Sequence, residues 1–264
     1  MSIERKRSIL RISRERSINS NRIIIPQVQE KEYREENIQT NPQNSEKEIT
    51  RIKTTLKSSY LGSLLYPNYI NRFQGETFIV AGCGSSINYY TDFSKYYVIG
   101  VNDIERILTP DFLVVVNEHR TFMRGRWDYV RDSLSPVIFT HLENPGPITR
   151  SANLCKIKIG QRNNPDLNNL SVVDYTMNSP YMAAIIAYQL GAKKIGMVGV
   201  DFTNDHFFSE TGAHKLSKNV RNIDLEYSLL RNHLENKGVK VANLSPISLL
   251  ESWPKMNLEE FDSL

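Results

Sequence analysis

Cysteine is scarce: Cys83 and Cys155 are the only two, and their spacing fits neither a metal-binding pair nor a disulfide framework. No apolar run is long enough to span a bilayer, and the first residues are charged rather than apolar, so a cytoplasmic protein is expected. There is no P-loop lysine and no Gly-x-Ser-x-Gly elbow, which argues against a kinase or a hydrolase of those types. Nor does an Asp-x-Asp pair end any predicted strand. Asp201 and Asp205 stand four residues apart in a loop, so a divalent-metal clamp is not visible and the expected chemistry needs neither metal nor cofactor. The net charge of +4 is too mild to argue for nucleic acid on its own.

What is present suffices for a sizeable core. The chain has 264 residues, 40% hydrophobic and 23% charged, enough for one large domain with or without an appendage. Its positive charge gathers at the start, where Arg5, Lys6, Arg7, Arg11, Arg14, Arg16 and Arg22 face only Glu4 and Glu15, with Ile3, Ile9, Leu10 and Ile12 interleaved. Such a segment suits an arm for an anionic surface or nucleic acid, a solvated tail, or a short amphipathic piece against a partner subunit in a homo-oligomer. From Gln27 to Ser45 the chain is polar, broken by Pro26 and Pro42, and reads as a linker or extended wrap. Ser45 and Glu48 have capping-box spacing, and Ile49, Ile52 and Leu56 follow at helical intervals, which predicts a helix towards Ser58. The expected divisions are a basic arm and linker (1–44), a helix and connector (45–73) and an α/β domain (74–264).

Within that last division, apolar runs alternate with polar stops. Phe78 to Ala81, Tyr97 to Val101, Phe112 to Val116, Val137 to Thr140, Lys194 to Val200 and Val239 to Asn243 each read as a strand. Continuous rather than alternating hydrophobicity means burial on both faces, as in a parallel sheet covered by helices. Tyr181 to Leu190, closed by Gly191, and Asn222 to Asn236 read as helices, and a short helix follows Pro246. The alternation predicts a doubly wound, mostly parallel α/β fold, Rossmann-like or GT-A-like. Thr149 to Asp174, with Asn163-Asn164-Pro165, reads as loop, a lid or variable insertion.

Candidate chemistry gathers at the strand ends. Gly82-Cys83-Gly84-Ser85-Ser86 follows the first strand; glycine permits close approach of a ligand, and a helix start offers N–H groups to anions. The third glycine of a dinucleotide fingerprint is absent, so a plain strand-to-helix connector is the competing reading. Cys83 has no cationic neighbour in sequence to activate it and reads as a small buried residue rather than a nucleophile. Asn102 and Asn117 end the second and third strands and Asp201 a later one, so all three face the crevice expected beyond the carboxyl edge. Amide side chains can donate and accept at a base or ribose, although asparagine also caps and turns chains after strands. His206 and His214 occupy the loop after Asp201, where a histidine could serve as general base; His214 is preferred for that role, and His119 competes from another strand edge.

With these residues in view, Thr77 to about Trp253 resembles the bacterial sialyltransferases that decorate lipooligosaccharide, and more loosely the MptE-like and flagellin-glycosylation proteins. The resemblance is carried by Ala81-Gly82-Cys83-Gly84-Ser85-Ser86, the strands ending in Asn102 and Asn117, Asn178-Ser179-Pro180-Tyr181-Met182, Gly199-Val200-Asp201-Phe202, and Ser245-Pro246-Ile247-Ser248-Leu249-Leu250. It implies a nucleotide-sugar glycosyltransferase working by inverting, metal-free displacement. Gly82, Gly84, Ser85, Asn102, Asn117 and Ser179 would bind the nucleotide, with Ser86 and Asp201 beside them, and a loop histidine would act as base. The family has tyrosines after the Asp-Phe strand, where this chain has Thr203, His206, Phe207 and Phe208, so His206 would take their place at the leaving phosphate. His214 lies several residues earlier, relative to the following helix, than the family's base. The implied partners are a nucleotide-sugar donor and a surface glycan; the basic arm would also suit a virus-type enzyme acting on hydroxymethylated DNA bases. The competing functions are an MptE-like diphosphate transfer and a non-catalytic nucleotide-binding or assembly module.

Overall fold

The computed structural model describes residues 66–149, 154–203, 205–206, 209–210 and 219–264. The basic arm, the helix expected towards Ser58 and His214 lie outside them. Eleven strands occur among the described residues: β1 (Thr77–Ala81), β2 (Tyr97–Val101), β3 (Phe112–Val114), β4 (Val137–Thr140), β5 (Leu154–Lys156), β6 (Ile159–Arg162), β7 (Val173–Tyr175), β8 (Lys194–Val198), β9 (Asp205–His206), β10 (Ser209–Glu210) and β11 (Lys240–Asn243). Seven of them form one parallel sheet in the order β11-β8-β1-β2-β3-β4-β5. The chain builds outward from β1 through β5, then returns to lay β8 and β11 on the other side of β1. The strand order therefore reverses between β1 and β8, which makes the carboxyl ends of those strands the topological switch point.

The uninterrupted apolar runs have the reason expected of them. Along β1, Phe78 and Val80 enter one buried cluster while Ile79 and Ala81 enter the other, so every residue from Phe78 to Ala81 is buried. Helix α1 (Trp127–Arg131) covers the second face with Trp127 and Val130; α2 (Ser179–Leu190) and α3 (Val220–Asn236) cover the first; α4 (Leu258–Ser263) adds Phe261 to the second. Helix α2 is apolar almost all round because it is enclosed; it packs on β1, β2 and β7 and stops at Gly191, whose φ of 106° is the left-handed cap. Helix α3 is the amphipathic counterpart, burying Ile223, Tyr227, Leu230 and Leu234. Each fully buried aliphatic or aromatic side chain of these clusters contributes about 1.5–3 kcal/mol.

The structure adds detail to two expectations. Residues 149–174 are not simply loop: β5 extends the sheet as its seventh strand, and β6 and β7 pair in parallel beside it. And the stretch read as a connector before Phe73 joins the core, with the Tyr69 ring edge-on to Phe139 at 5.4 Å and to Phe112 at 6.3 Å. No helix among the described residues is long and apolar enough to cross a membrane.

Candidate functional site

A crevice of about 230 Å³ opens at the carboxyl edge, over the switch point. Its floor is the joint between the loops that leave β1 and β8. The Gly82 N–H donates to the Val198 carbonyl at 2.8 Å and the Gly84 N–H to the Gly199 carbonyl at 2.7 Å. The two loops touch so closely that side chains are excluded between them. A Cβ on Gly82 would lie 2.8 Å from the Gly199 carbonyl carbon, and one on Gly84 2.7 Å from the Asp201 carboxyl carbon. Close approach of the β8 loop accounts for glycine at both positions.

Ser86 and Asp201 complete this joint. The Ser86 N–H donates to Asp201 Oδ2 at 2.8 Å, its hydroxyl donates to Oδ1 at 2.6 Å, and the Gly199 N–H donates to the Ser86 hydroxyl at 2.9 Å. Both side chains are buried. The segment after the turn, Ser85–Tyr89, is one short 3-10 helix, and the N–H at its second residue is taken by Asp201. Asp201 thus satisfies one of the N–H groups at this helix start. The Ser245–Leu250 motif holds the joint from below: Ser248 donates its hydroxyl to the Val200 carbonyl at 2.7 Å, and the Leu249 N–H donates to the Asp201 carbonyl at 2.9 Å.

The wall above is polar and partly open. Asn102 ends β2 with φ 54°, a left-handed conformation that asparagine tolerates, and its N–H donates to the Val114 carbonyl at 3.1 Å. Asn117, exposed beyond β3, reaches with Nδ2 to Asn102 Oδ1 at 3.2 Å and to the Ser179 hydroxyl at 3.4 Å. Ser179, at the start of α2, is positioned by the Pro180 turn and by Asn178, whose Oδ1 accepts from the Tyr227 hydroxyl at 3.2 Å. Three of the sequence candidates, drawn from three separate elements, therefore meet in one hydrogen-bonded group. Phe202 has φ 57°, a strained conformation for a bulky residue, and it too lines the crevice.

His206, in the short hairpin of β9 and β10, also lines the crevice, and its residue pairs through the backbone with Gly84. His119 does not line it; its ring lies edge-on to Trp127 at 5.1 Å. Of the candidates, Gly84, Asn102, Asn117, Ser179, Asp201 and His206 line the crevice, whereas Gly82, Ser85 and Ser86 do not. Among the described residues no group of three or more His, Cys, Asp or Glu side chains could hold a metal ion.

Arg126 escaped the sequence reading. It lines the crevice from the turn before α1 and grips the fully buried Asp103 with two donors, Nε to Oδ2 at 2.9 Å and Nη2 to Oδ1. Asp103 was recognisable only as the residue after Asn102, and its partner lies 23 residues further on, a separation no local pattern reveals. The Cys83 thiol lies 3.5 Å from the Val101 carbonyl and 3.7 Å from Asp103 Oδ1, able to donate to either. Burial, and next the Asp103 charge, push this thiol well above its ordinary pKa, with Arg126 opposing too weakly to reverse it. Cys83 is accordingly a protonated structural thiol.

The molecule is thus a doubly wound parallel α/β protein with a polar crevice at its switch point. No protein-family model and no curated protein matches the chain. Among solved structures it is similar to the sialyltransferase CstII from Campylobacter jejuni in complex with cytidine monophosphate, at 14% identity over 69% of this chain and 85% of that one, with a TM-score of 0.42. It is likewise similar to the monofunctional α-2,3-sialyltransferase Cst-I from the same organism, at 15% identity over 69% and 80% of the two chains, TM-score 0.40. The MAf glycosyltransferase from Magnetospirillum magneticum matches at 11% identity over 85% of this chain but 43% of its own length, TM-score 0.44. Sialyltransferases, the family the motifs resemble, are thus among the solved structures that match.

Proposed function

We propose that the chain is a nucleotide-sugar-dependent glycosyltransferase, metal-independent and inverting, that passes a sugar to a hydroxyl acceptor. The observation that carries this reading is the group formed by Asn102, Asn117 and Ser179 at the carboxyl edge beside the switch point. Amides and a hydroxyl held together there can donate to and accept from a base and a ribose, and they do so where open α/β sheets receive nucleotides. The bonds from Asn117 to Asn102 and Ser179 already hold the three side chains together, so the polar wall meets the ligand preorganised.

In the reaction the acceptor oxygen attacks the anomeric carbon as its bond to the phosphate oxygen breaks. The acceptor proton passes to His214, the proposed base, and the nucleotide leaves with the bonding electron pair. His206, lining the crevice, donates a hydrogen bond to the departing phosphate. The acceptor is a surface glycan; a hydroxymethylated DNA base is the competing choice, and duplex binding that falls with salt and vanishes on removing residues 1–22 would favour it.

Thermal unfolding with CMP-, UDP- and GDP-sugars tests the donor, because a ligand that binds only the folded state raises the melting temperature. A rise with one donor class, followed by chelator-resistant sugar transfer, is the expected outcome. No rise with any of them would overturn the reading, and transfer abolished by a chelator would favour diphosphate chemistry instead. Nucleotide binding with unaltered biological function after His214→Ala would point to a non-catalytic module.

A further inference from the structure

We propose that Tyr227, a residue outside the crevice, decides what Asn178 offers inside it: the buried phenol turns the Asn178 amide so that only N–H donors meet the ligand. Those donors take an acceptor oxygen of the bound nucleotide. The identity of that ligand rests on the nucleotide-sugar reading, whereas the donor arrangement comes from the residues. Asn178 lines the crevice next to Ser179 and is 7% exposed; Tyr227, on α3, is 0% exposed and does not line it.

Asn178 stands at the N-cap of α2, where an asparagine oxygen ordinarily accepts from an N–H of the first turn. Here the side chain makes no such cap. Its Oδ1 accepts instead from the Tyr227 hydroxyl at 3.2 Å, while the Asn178 N–H donates to Thr176 Oγ1 at 3.2 Å and holds the backbone. Tyr227 is itself locked: its ring lies edge-on to Tyr181 at 5.5 Å and to Trp253 at 6.0 Å, and its carbonyl accepts from Trp253 Nε1 at 2.9 Å. Burial, ahead of the neighbouring Tyr181 and Glu226, pushes the phenol well above its ordinary pKa, so the hydroxyl keeps its proton. Asn178 Oδ1 is the one acceptor that this hydroxyl has among the described residues. With the amide turned the other way the phenol proton would be buried and stranded, which is costly, so the sense of the amide is fixed. Nδ2 then carries two N–H donors that have no partner among the described residues, and it is not one of the side-chain atoms sealed from solvent without a partner. The open side of so buried a residue is the crevice that it lines. An asparagine free to turn would present donor or acceptor alike; this one presents donors alone, preorganised for a carbonyl, carboxylate or phosphate oxygen and unsuited to an amino group.

Calorimetric titrations of the full chain would use CMP, UMP and GMP beside cytidine, uridine and guanosine, with the fold of each variant checked by its melting curve. Asn178→Asp keeps an oxygen towards Tyr227 and replaces the crevice donors by a second oxygen, so the tightest nucleotide should bind at least about tenfold more weakly. Tyr227→Phe, which retains the ring and its packing, should weaken the same nucleotide about three- to fivefold. Once Asn178→Ala has been made, Tyr227→Phe should change affinity by less than about twofold, because the phenol acts through the amide alone. A tyrosine that only supports the core would cost the same affinity in either background. That result, or nucleotide binding unchanged in Asn178→Asp, would overturn the positioning role and leave the glycosyltransferase reading standing. A loss shared by the nucleosides upholds the role and puts the acceptor oxygen on base or ribose; a loss confined to the nucleotides upholds it and puts the oxygen on the phosphate. If the wild-type chain binds no nucleotide and no nucleoside, both fail.

Discussion

Replacing Ser86 by alanine should loosen the sheet at its switch point more than the loss of one exposed hydroxyl would suggest. The Ser86 hydroxyl is 0% exposed, donates to Asp201 Oδ1 at 2.6 Å and accepts from the Gly199 N–H at 2.9 Å, so alanine removes both bonds at once. A hydrogen bond to a charged group contributes about 1.5–3 kcal/mol, and a stranded buried N–H costs about 1–3 kcal/mol more. The backbone bond from the Ser86 N–H to Asp201 Oδ2, at 2.8 Å, survives the substitution and keeps the carboxylate partly satisfied. The net expectation is a destabilisation of about 3 kcal/mol, or about 6–12 °C in melting temperature for a domain of this size. Urea unfolding should show a lower midpoint with the slope unchanged, since the same surface is exposed on unfolding. In an Asp201→Asn background the serine should matter much less, giving a coupling of about 1–3 kcal/mol in the double-mutant cycle. A Ser86→Ala chain that melts within about 2 °C of the wild type, or a cycle with no coupling, would refute the idea that this pair clamps the two loops.

Other perturbations separate binding from stability. Asn117→Ala removes the amide that reaches Asn102 and Ser179; since Asn117 is exposed, melting should move by less than the equivalent of about 0.5 kcal/mol while donor affinity falls about tenfold, and the opposite pattern would contradict the site. Cys83 and Cys155, their pKa values raised by burial in both cases and that of Cys155 to about 12, should react with iodoacetamide at pH 8 at least about tenfold more slowly in the folded chain than in urea, as followed by mass spectrometry. For His141, burial and then the Lys156 charge lower the pKa. The unfolded chain therefore binds more protons below the ordinary value of about 6.5; this contribution is complete above that pH and is lost as the pH falls through the depressed value. His141→Gln should flatten the decline of stability on acidification, and an unchanged slope would assign that decline to other groups.

The sequence revealed what depends on local pattern. β1, β2, β4, β8 and β11 were legible because burial on both faces forces continuous apolar runs, and α2 because its closing glycine follows an unbroken apolar stretch. β5, β6 and β7 were missed because half-buried or exposed residues interrupt each of them, so none shows an apolar run long enough to stand out. The meeting of Asn102, Asn117 and Ser179 could be anticipated in part, since the carboxyl ends of parallel strands share one edge. The bond of Arg126 to Asp103 could not, because it joins two turns whose proximity is created only by the folded sheet.

Strain and rigidity at this edge have a common origin. The loops from β1 and β8 are fused by backbone bonds at Gly82 and Gly84 and by the Ser86–Asp201 pair, leaving no room between them for a side chain. A joint so closely packed can hold a neighbouring residue in a conformation it would not adopt alone, such as Phe202 at φ 57°. The glycine turn thus fixes the floor of the crevice, on which Gly84 also lies. Under the proposed function, recognition would fall to the asparagines and Ser179, which come from the β2, β3 and α2 edges. Ligand preference could then change by substitution on those edges while the joint beneath keeps the fold intact.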